Sequence, residues 1–158
     1  MKLLFRASEH GFSAKEFHRW CDGKAPTLVV VRTNFGKTLG GYTPVPWKSV
    51  AYPGEVVADG SGTSFMFSCD LKERFALKNK DHSITCHSDA GPCFGGFYCD
   101  LVLTDGSEKD RCWVNFPRSY SGNGRERNQE TRTALIGNPN SNYFEVLEYE
   151  VFEVGFGE

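Results

Sequence analysis

No run of this 158-residue chain is apolar for long enough to cross a bilayer. The longest aliphatic run is Leu28-Val29-Val30-Val31, against roughly 20 residues for a spanning helix. The opening Met1–Phe5 stretch meets Arg6 at once and is too short for a signal-peptide core. Secretion and membrane insertion are therefore not expected, and the expected location is intracellular, in the cytoplasm. An excess of one charge is also missing. The net charge is −2, so neither nucleic acid nor an anionic membrane is an expected partner. There is no C-x-x-C, which removes a thioredoxin-type redox site. There is no G-x-S-x-G elbow, and Gly60-Ser61-Gly62 reads as a turn. Gly91–Gly96 lacks the lysine and following helix of a phosphate-binding loop. Asp105–Asp110 is too short for a calcium loop. Repeats and linkers are missing too, which predicts one domain over residues 1–158.

What is present is a globular balance, with 39% hydrophobic and 24% charged residues. Aromatics reach 14%, and 17 Gly with 7 Pro predict many turns and short strands. The chain is long enough to fold without staples. Six cysteines, Cys21, Cys69, Cys86, Cys93, Cys99 and Cys112, therefore read as reduced, mostly structural thiols. Cys86-His87, Cys93 and Cys99 offer zinc-type ligands, but their spacings are wider than a zinc knuckle uses. No metal and no cofactor are expected.

The secure helix follows Gly11. Ser13 is an N-cap, and Glu16 completes a capping box. Phe12 and Phe17 have the spacing of a hydrophobic staple, and Gly23 is a stop. Phe17, Trp20 and Cys21 are read as the buried face, with His18 at the helix edge. On that reading Trp20→Ala costs roughly 3–5 kcal/mol and Ser13→Ala roughly 1 kcal/mol. Strands are predicted over Thr27–Arg32, Ser64–Cys69, Glu73–Leu77, Ser83–His87, Pro92–Leu103, Arg111–Phe116 and Tyr143–Val154. Asn34-Phe35-Gly36 reads as a hairpin turn, and Gly40-Gly41-Tyr42 as a bulge or a close backbone approach. The apolar parity of the last strand shifts along its length, which predicts a bulge or a strand buried on both sides. The fold class is α+β, mainly β: a two-layer antiparallel β-sandwich with a few short helices.

Pro117–Asn142 is polar and reads as one long loop with a small apolar centre at Ala134-Leu135-Ile136. Arg118, Arg125, Arg127 and Arg132 make it basic, a docking loop for an acidic partner surface. Glu145, Glu148, Glu150 and Glu153 supply the opposite sign.

Leu3-Leu4-Phe5-Arg6-Ala7-Ser8, Gly11-Phe12-Ser13-Ala14 and Cys21-Asp22-Gly23-Lys24 resemble the start of the TLDc domain. Gly40-Gly41-Tyr42 and Pro46-Trp47 continue the likeness, as do Ser64–Ser68 and Phe75–Lys78. Gly91–Gly96 with Asp100-Leu101 is similar to the family's glycine-rich signature, and Tyr143–Val146 with Glu150–Phe152 to its closing strand. Departures fall at Phe97-Tyr98-Cys99 and in Ser119–Asn142. The resemblance implies a β-sandwich and a role in oxidative-stress protection within the oxidation-resistance family. It also implies a protein partner, with subunits of the vacuolar proton-pumping ATPase as the expected one. It brings no catalytic residues. A non-catalytic interaction domain is thus the leading expectation. The alternative is a thiol-based antioxidant, with Cys21 near Lys24 and Cys112 beside Arg111 as candidate reactive thiols. A hydrolase with an unrecognised site is a third reading.

Overall fold

The computed structural model describes residues 1–155; the last three residues of the expected 1–158 domain lie outside the described residues. The chain begins with β1 (Lys2–Arg6), α1 (Ala7–His10) and α2 (Ala14–Cys21). Then come β2 (Thr27–Thr33), β3 (Thr38–Thr43), β4 (Glu55–Val57), β5 (Phe65–Ser68) and β6 (Glu73–Ala76). Next are β7 (Ile84–Cys86), β8 (Ala90–Phe94), β9 (Leu101–Thr104) and β10 (Cys112–Val114). The remainder is α3 (Gln129–Ile136), β11 (Tyr143–Phe144) and β12 (Val146–Glu153). Two six-stranded antiparallel sheets result, in the orders β1-β12-β2-β3-β5-β6 and β11-β10-β9-β8-β7-β4. No helix among the described residues is long and apolar enough to cross a membrane.

The sheets share one core. Val29, Val31, Leu39, Met66 and Phe75 of the first face Ile84, Cys86, Phe94, Leu101 and Leu103 of the second. Period-2 alternation supplies both inner faces. The glycine pair of β3 permits close approach, as expected, and β3 pairs with β2 without a bulge. A Cβ on Gly40 would fall 1.9 Å from the Val29 carbonyl oxygen, and one on Gly41 2.5 Å from the Phe94 ring. The parity shift near the C-terminal end is a bulge: the register of β12 against β2 slips between Val146 and Glu148. Val146 and Tyr149 are both buried as a result, while Leu147 points out.

The capped helix forms as predicted, but its buried face differs. The Glu16 N–H donates to Ser13 Oγ at 3.2 Å. The Glu16 carboxylate turns to Arg19, at 3.7 Å, rather than back to the cap. Ala14, Phe17, His18 and Cys21 are the buried positions, an i, i+3, i+4, i+7 stripe. Trp20 lies about 110° round the helix from the centre of that stripe. It is 41% exposed and rests on the His10 ring at 4.6 Å. His18, expected at the helix edge, is buried instead. Phe17 is the anchor, against Phe5, Trp47 and Tyr149.

The expected costs are revised accordingly. Ser13→Ala should lose about 1 kcal/mol. Trp20→Ala should lose about 1 kcal/mol or less, well below Phe17→Ala. Urea denaturation of the three variants checks the order. A Trp20→Ala cost above that of Phe17→Ala would overturn this assignment of the buried face.

The long polar loop is also corrected. It contains α3, capped by Asn128 Oδ1, which accepts from the Thr131 N–H at 3.0 Å. Gly137 closes the helix in the left-handed conformation. Leu135, Ile136 and Tyr120 enter the core, so the segment is docked on the sandwich.

Candidate functional site

The hairpin between β8 and β9 carries an exposed aromatic tip. Phe97 is 80% exposed and Tyr98 67% exposed, more than any other aromatic side chain among the described residues except Tyr52. The residues around the tip are packed with little slack. A Cβ on Gly95 would meet Asp100 Oδ1 at 2.4 Å, and one on Gly96 would meet the His82 ring at 2.4 Å. Gly95 also has φ +107°, where a side chain is strained.

Asp100 fixes the tip to the chain that follows β10. Its side chain is fully buried. Oδ2 accepts from the backbone N–H of Arg118 at 2.7 Å and of Tyr120 at 3.2 Å. Oδ1 accepts from the N–H of Ser119 at 2.9 Å. Burial pushes the carboxyl above its ordinary range, and the three backbone donors pull against that shift. The Tyr120 hydroxyl donates to the Ser83 carbonyl at 2.6 Å, and the Gly96 N–H donates to Ser119 Oγ at 3.3 Å. The backbone carrying Arg118 is therefore held in place.

Two adjoining clefts result, of about 210 and 290 Å³, which share His82, Arg118 and Ser119. Phe97 and Tyr98 wall the first; Lys78 and Arg127 wall the second. Arg118 lies over the Tyr98 ring at 5.0 Å, a cation–π contact, and the Phe97 ring meets His82 edge-on at 5.5 Å. Larger hollows occur beside Asn34 and Tyr143 and beside Asn128 and Glu130, without this combination of exposed aromatics and several cations. Aromatic surface beside three cations can hold an acidic segment that carries an apolar anchor.

The four predicted arginines divide. Arg118 and Arg127 line the clefts. Arg125 is committed within the chain: Nη1 and Nη2 donate to the two Glu73 oxygens at 2.9 and 2.5 Å, tying the segment to β6. Arg132 sits partly buried on α3 and lines neither cleft. The opposite acidic run is partly spent internally, since Glu150 pairs with Arg6 at 2.8 Å and Glu148 accepts from the Ser8 N–H at 3.0 Å.

Both candidate thiols are buried. Desolvation and the neighbouring Asp22 push Cys21 up, and desolvation pushes Cys112 up despite hydrogen bonds from Thr104. That is opposite to the direction a reactive thiolate needs.

Sequence reasoning missed two polar centres. Asp100 is one; its partners lie 18 to 20 positions further on, and no local pattern announces them. The other is His18. Its Nδ1 lies 2.6 Å from Asp22 Oδ1, and its Nε2–H points between the carbonyls of His87 and Ala90 at 2.8 and 2.9 Å. Ser49 Oγ donates to Asp22 Oδ2 at 2.6 Å. The serine thus meets the carboxylate and not the imidazole, which is no nucleophile–base pair. The arrangement ties α2 to the turn before β8.

A family model, the TLDc domain, matches residues 1–155. A Xenopus laevis protein described as TBC1 domain family member 24 is 32% identical over 66 residues. That match covers 41% of this chain and 12% of the Xenopus protein.

Proposed function

The chain belongs to the TLDc domain family, and from that premise we propose that it is a non-catalytic interaction domain in protection against oxidative stress. We propose further that it acts by binding the vacuolar proton-pumping ATPase through an acidic segment of one subunit. The observation that carries the docking is the basic, aromatic cleft pair around Arg118. Arg118 offers its guanidinium to a carboxylate while its flat face is already seated on Tyr98. Phe97 offers a bare ring for an apolar side chain. The second reading, direct thiol chemistry at Cys21 or Cys112, is disfavoured because both are completely buried and pushed up by desolvation.

The test replaces Arg118 and Arg127 with Glu. Charge reversal removes attraction and adds repulsion. Recovery of proton-pump subunits from lysate should fall to background for the double variant. For the natural chain it should weaken as salt rises, because exposed charges are screened beyond about 8 Å at physiological ionic strength. Unfolding midpoints should stay close to the natural chain, since neither side chain is fully buried. Recovery equal to that of the natural chain would place the docking face elsewhere. Arg125→Glu makes a poor substitute test, because it breaks the bidentate pair with Glu73.

A further inference from the structure

Five of the six cysteines are buried, and they fall into two groups. Cys21, Cys86 and Cys112 lie in the core between the sheets. Cys93 and Cys99 form a separate small cluster with Val102, packed against Ala90 and Trp113. Strand alternation explains the separation. On β8, Phe94 enters the core and Cys93 takes the other face. On β9, Leu101 and Leu103 enter the core, and Val102, the backbone partner of Cys93, takes the other face. Cys99 reaches the same patch from the hairpin tip, where Gly95 turns the chain. Its Sγ lies 3.1 Å from the Gly96 carbonyl oxygen, and Cys93 Sγ lies 3.5 Å from that of Gly91.

The two thiols share this patch, and the hydrogen bonds of both sulfurs run to backbone carbonyls of the tip and of β8. The neighbouring Cys93 side chain favours the Cys99 thiolate and holds the Cys99 thiol below its ordinary range, against burial. The Thr85 hydroxyl and the Cys99 N–H act in the same direction. The same contact, together with burial, pushes Cys93 well up. Cys21, Cys86 and Cys112 are all pushed up by burial. Among the five buried cysteines Cys99 has the most access, 7% exposed at the foot of the open Phe97–Tyr98 tip, with Cys93 at 3%.

We propose that Cys99 and Cys93 form a dithiol site for small hydroperoxides, with Cys99 as the attacking sulfur and Cys93 as the resolving one. The Cys99 thiolate attacks the outer oxygen of the hydroperoxide. An S–O bond forms, the O–O bond breaks, and the leaving alkoxide takes up the proton that Cys99 gave away. Cys99 is then a sulfenic acid. The Cys93 sulfur, giving up its proton, attacks the Cys99 sulfur. The S–S bond forms, the S–O bond breaks, and hydroxide leaves with that proton as water. Two thiols have lost two electrons and two protons, and the hydroperoxide has become water and an alcohol, or two waters from hydrogen peroxide. A disulfide brings the two Cβ atoms to roughly 3.8 Å, a movement that falls on the five residues Phe94–Tyr98 between the two cysteines. A thiol reductant reverses the change. This chemistry is independent of the docking proposed above.

The test treats the folded natural chain with hydrogen peroxide, blocks unreacted thiols with iodoacetamide and weighs the peptides. Cleavage after Lys80 and Lys109 releases one peptide that carries Cys86, Cys93 and Cys99. It should lose two hydrogens and carry a single blocking group, on Cys86. Reductant added before blocking should restore blocking of all three. In Cys93→Ser, dimedone should trap a sulfenic acid on Cys99. In Cys99→Ser, position 93 should stay a thiol. Exposed Cys69 serves as the internal reference for unselective oxidation. Oxidation of Cys69 while Cys93 and Cys99 remain fully blocked overturns the proposal, and the natural chain alone gives that reading if a variant fails to fold. A Cys99 that dimedone does not label in folded Cys93→Ser overturns the assigned roles.

Discussion

Asp100→Ala should lower the stability of the fold by about 4 kcal/mol, because it strands three backbone N–H groups, two of them buried and one half-buried, at about 1–3 kcal/mol each. Few groups in the chain serve so many partners from one side chain. The carboxylate joins the turn after β8 to the first residues beyond β10, and these two segments build the walls of the cleft. The loss should therefore appear twice: in urea denaturation, and as failure to recover a partner even where the variant is folded. Asp100→Asn should cost less. Its one oxygen can serve the Arg118 and Tyr120 N–H groups, leaving the amide to face that of Ser119. Burial raises the Asp100 carboxyl in the folded chain, so folding favours its protonated form. The contribution of that shift is complete below the unfolded value of about 3.9 and is lost as pH rises through the folded one. The stability gap between the natural chain and Asp100→Asn should accordingly narrow as pH rises above about 4. An Asp100→Ala cost below about 1 kcal/mol, the worth of one ordinary hydrogen bond, would mean that water can satisfy these N–H groups and that the carboxylate is not the organiser.

What could be read from the residues was whatever is decided locally. Ser13 with Glu16 announces the start of α2, since a cap needs only an oxygen three residues before an N–H. The β-branched run Thr27–Arg32 announces the central strand that forms over Thr27–Thr33, and the parity slip near Val146 announces a bulge. The helix α3 was hidden because its core contribution is narrow: of its eight residues only Thr131, Leu135 and Ile136 are buried. Its punctuation was nevertheless present, with Asn128 as N-cap and Gly137 as stop bracketing eight residues. A polar residue beside an apolar stripe reads as an edge position, but His18, at i+4 from Ala14, lies on the buried face. The partners that make this burial tolerable, the His87 and Ala90 carbonyls, come from 69 and 72 positions away. The basic segment was correctly seen as charged, but charge alone does not say which arginines are free. Arg125 meets Glu73 across 52 positions, a pairing that only the docked segment creates. The cleft is likewise a product of topology, because it needs the β8–β9 tip and the chain beyond β10 to lie side by side.

Gly41→Val should be at least as costly, at about 4 kcal/mol, near the upper end of what forced overpacking produces. The reason is that neither partner in the clash can retreat. β3 is hydrogen-bonded to β2 on one side and β5 on the other, so its backbone cannot shift without breaking two ladders. The Phe94 ring, 2.5 to 2.7 Å from the new Cβ, is fully buried. It is backed edge-on by Trp47 at 5.6 Å and by Tyr120 at 6.3 Å. Trp47 is itself held, through the Nε1–H donated to Thr27 Oγ1 at 3.0 Å. Gly41 thus sets the local spacing of the two sheets, and its φ is not one that demands glycine, so the whole cost is steric. A double-mutant cycle separates this from a general loss of strand quality. Gly41→Ala and Phe94→Leu should each destabilise when made alone. Together they should cost less than their sum by more than about 0.5 kcal/mol, because the shorter side chain vacates the space the new methyl needs. Strict additivity would show that Phe94 is not what excludes a side chain at position 41. The sandwich would then tolerate a wider gap than the ring and the glycine, packed as they are, allow.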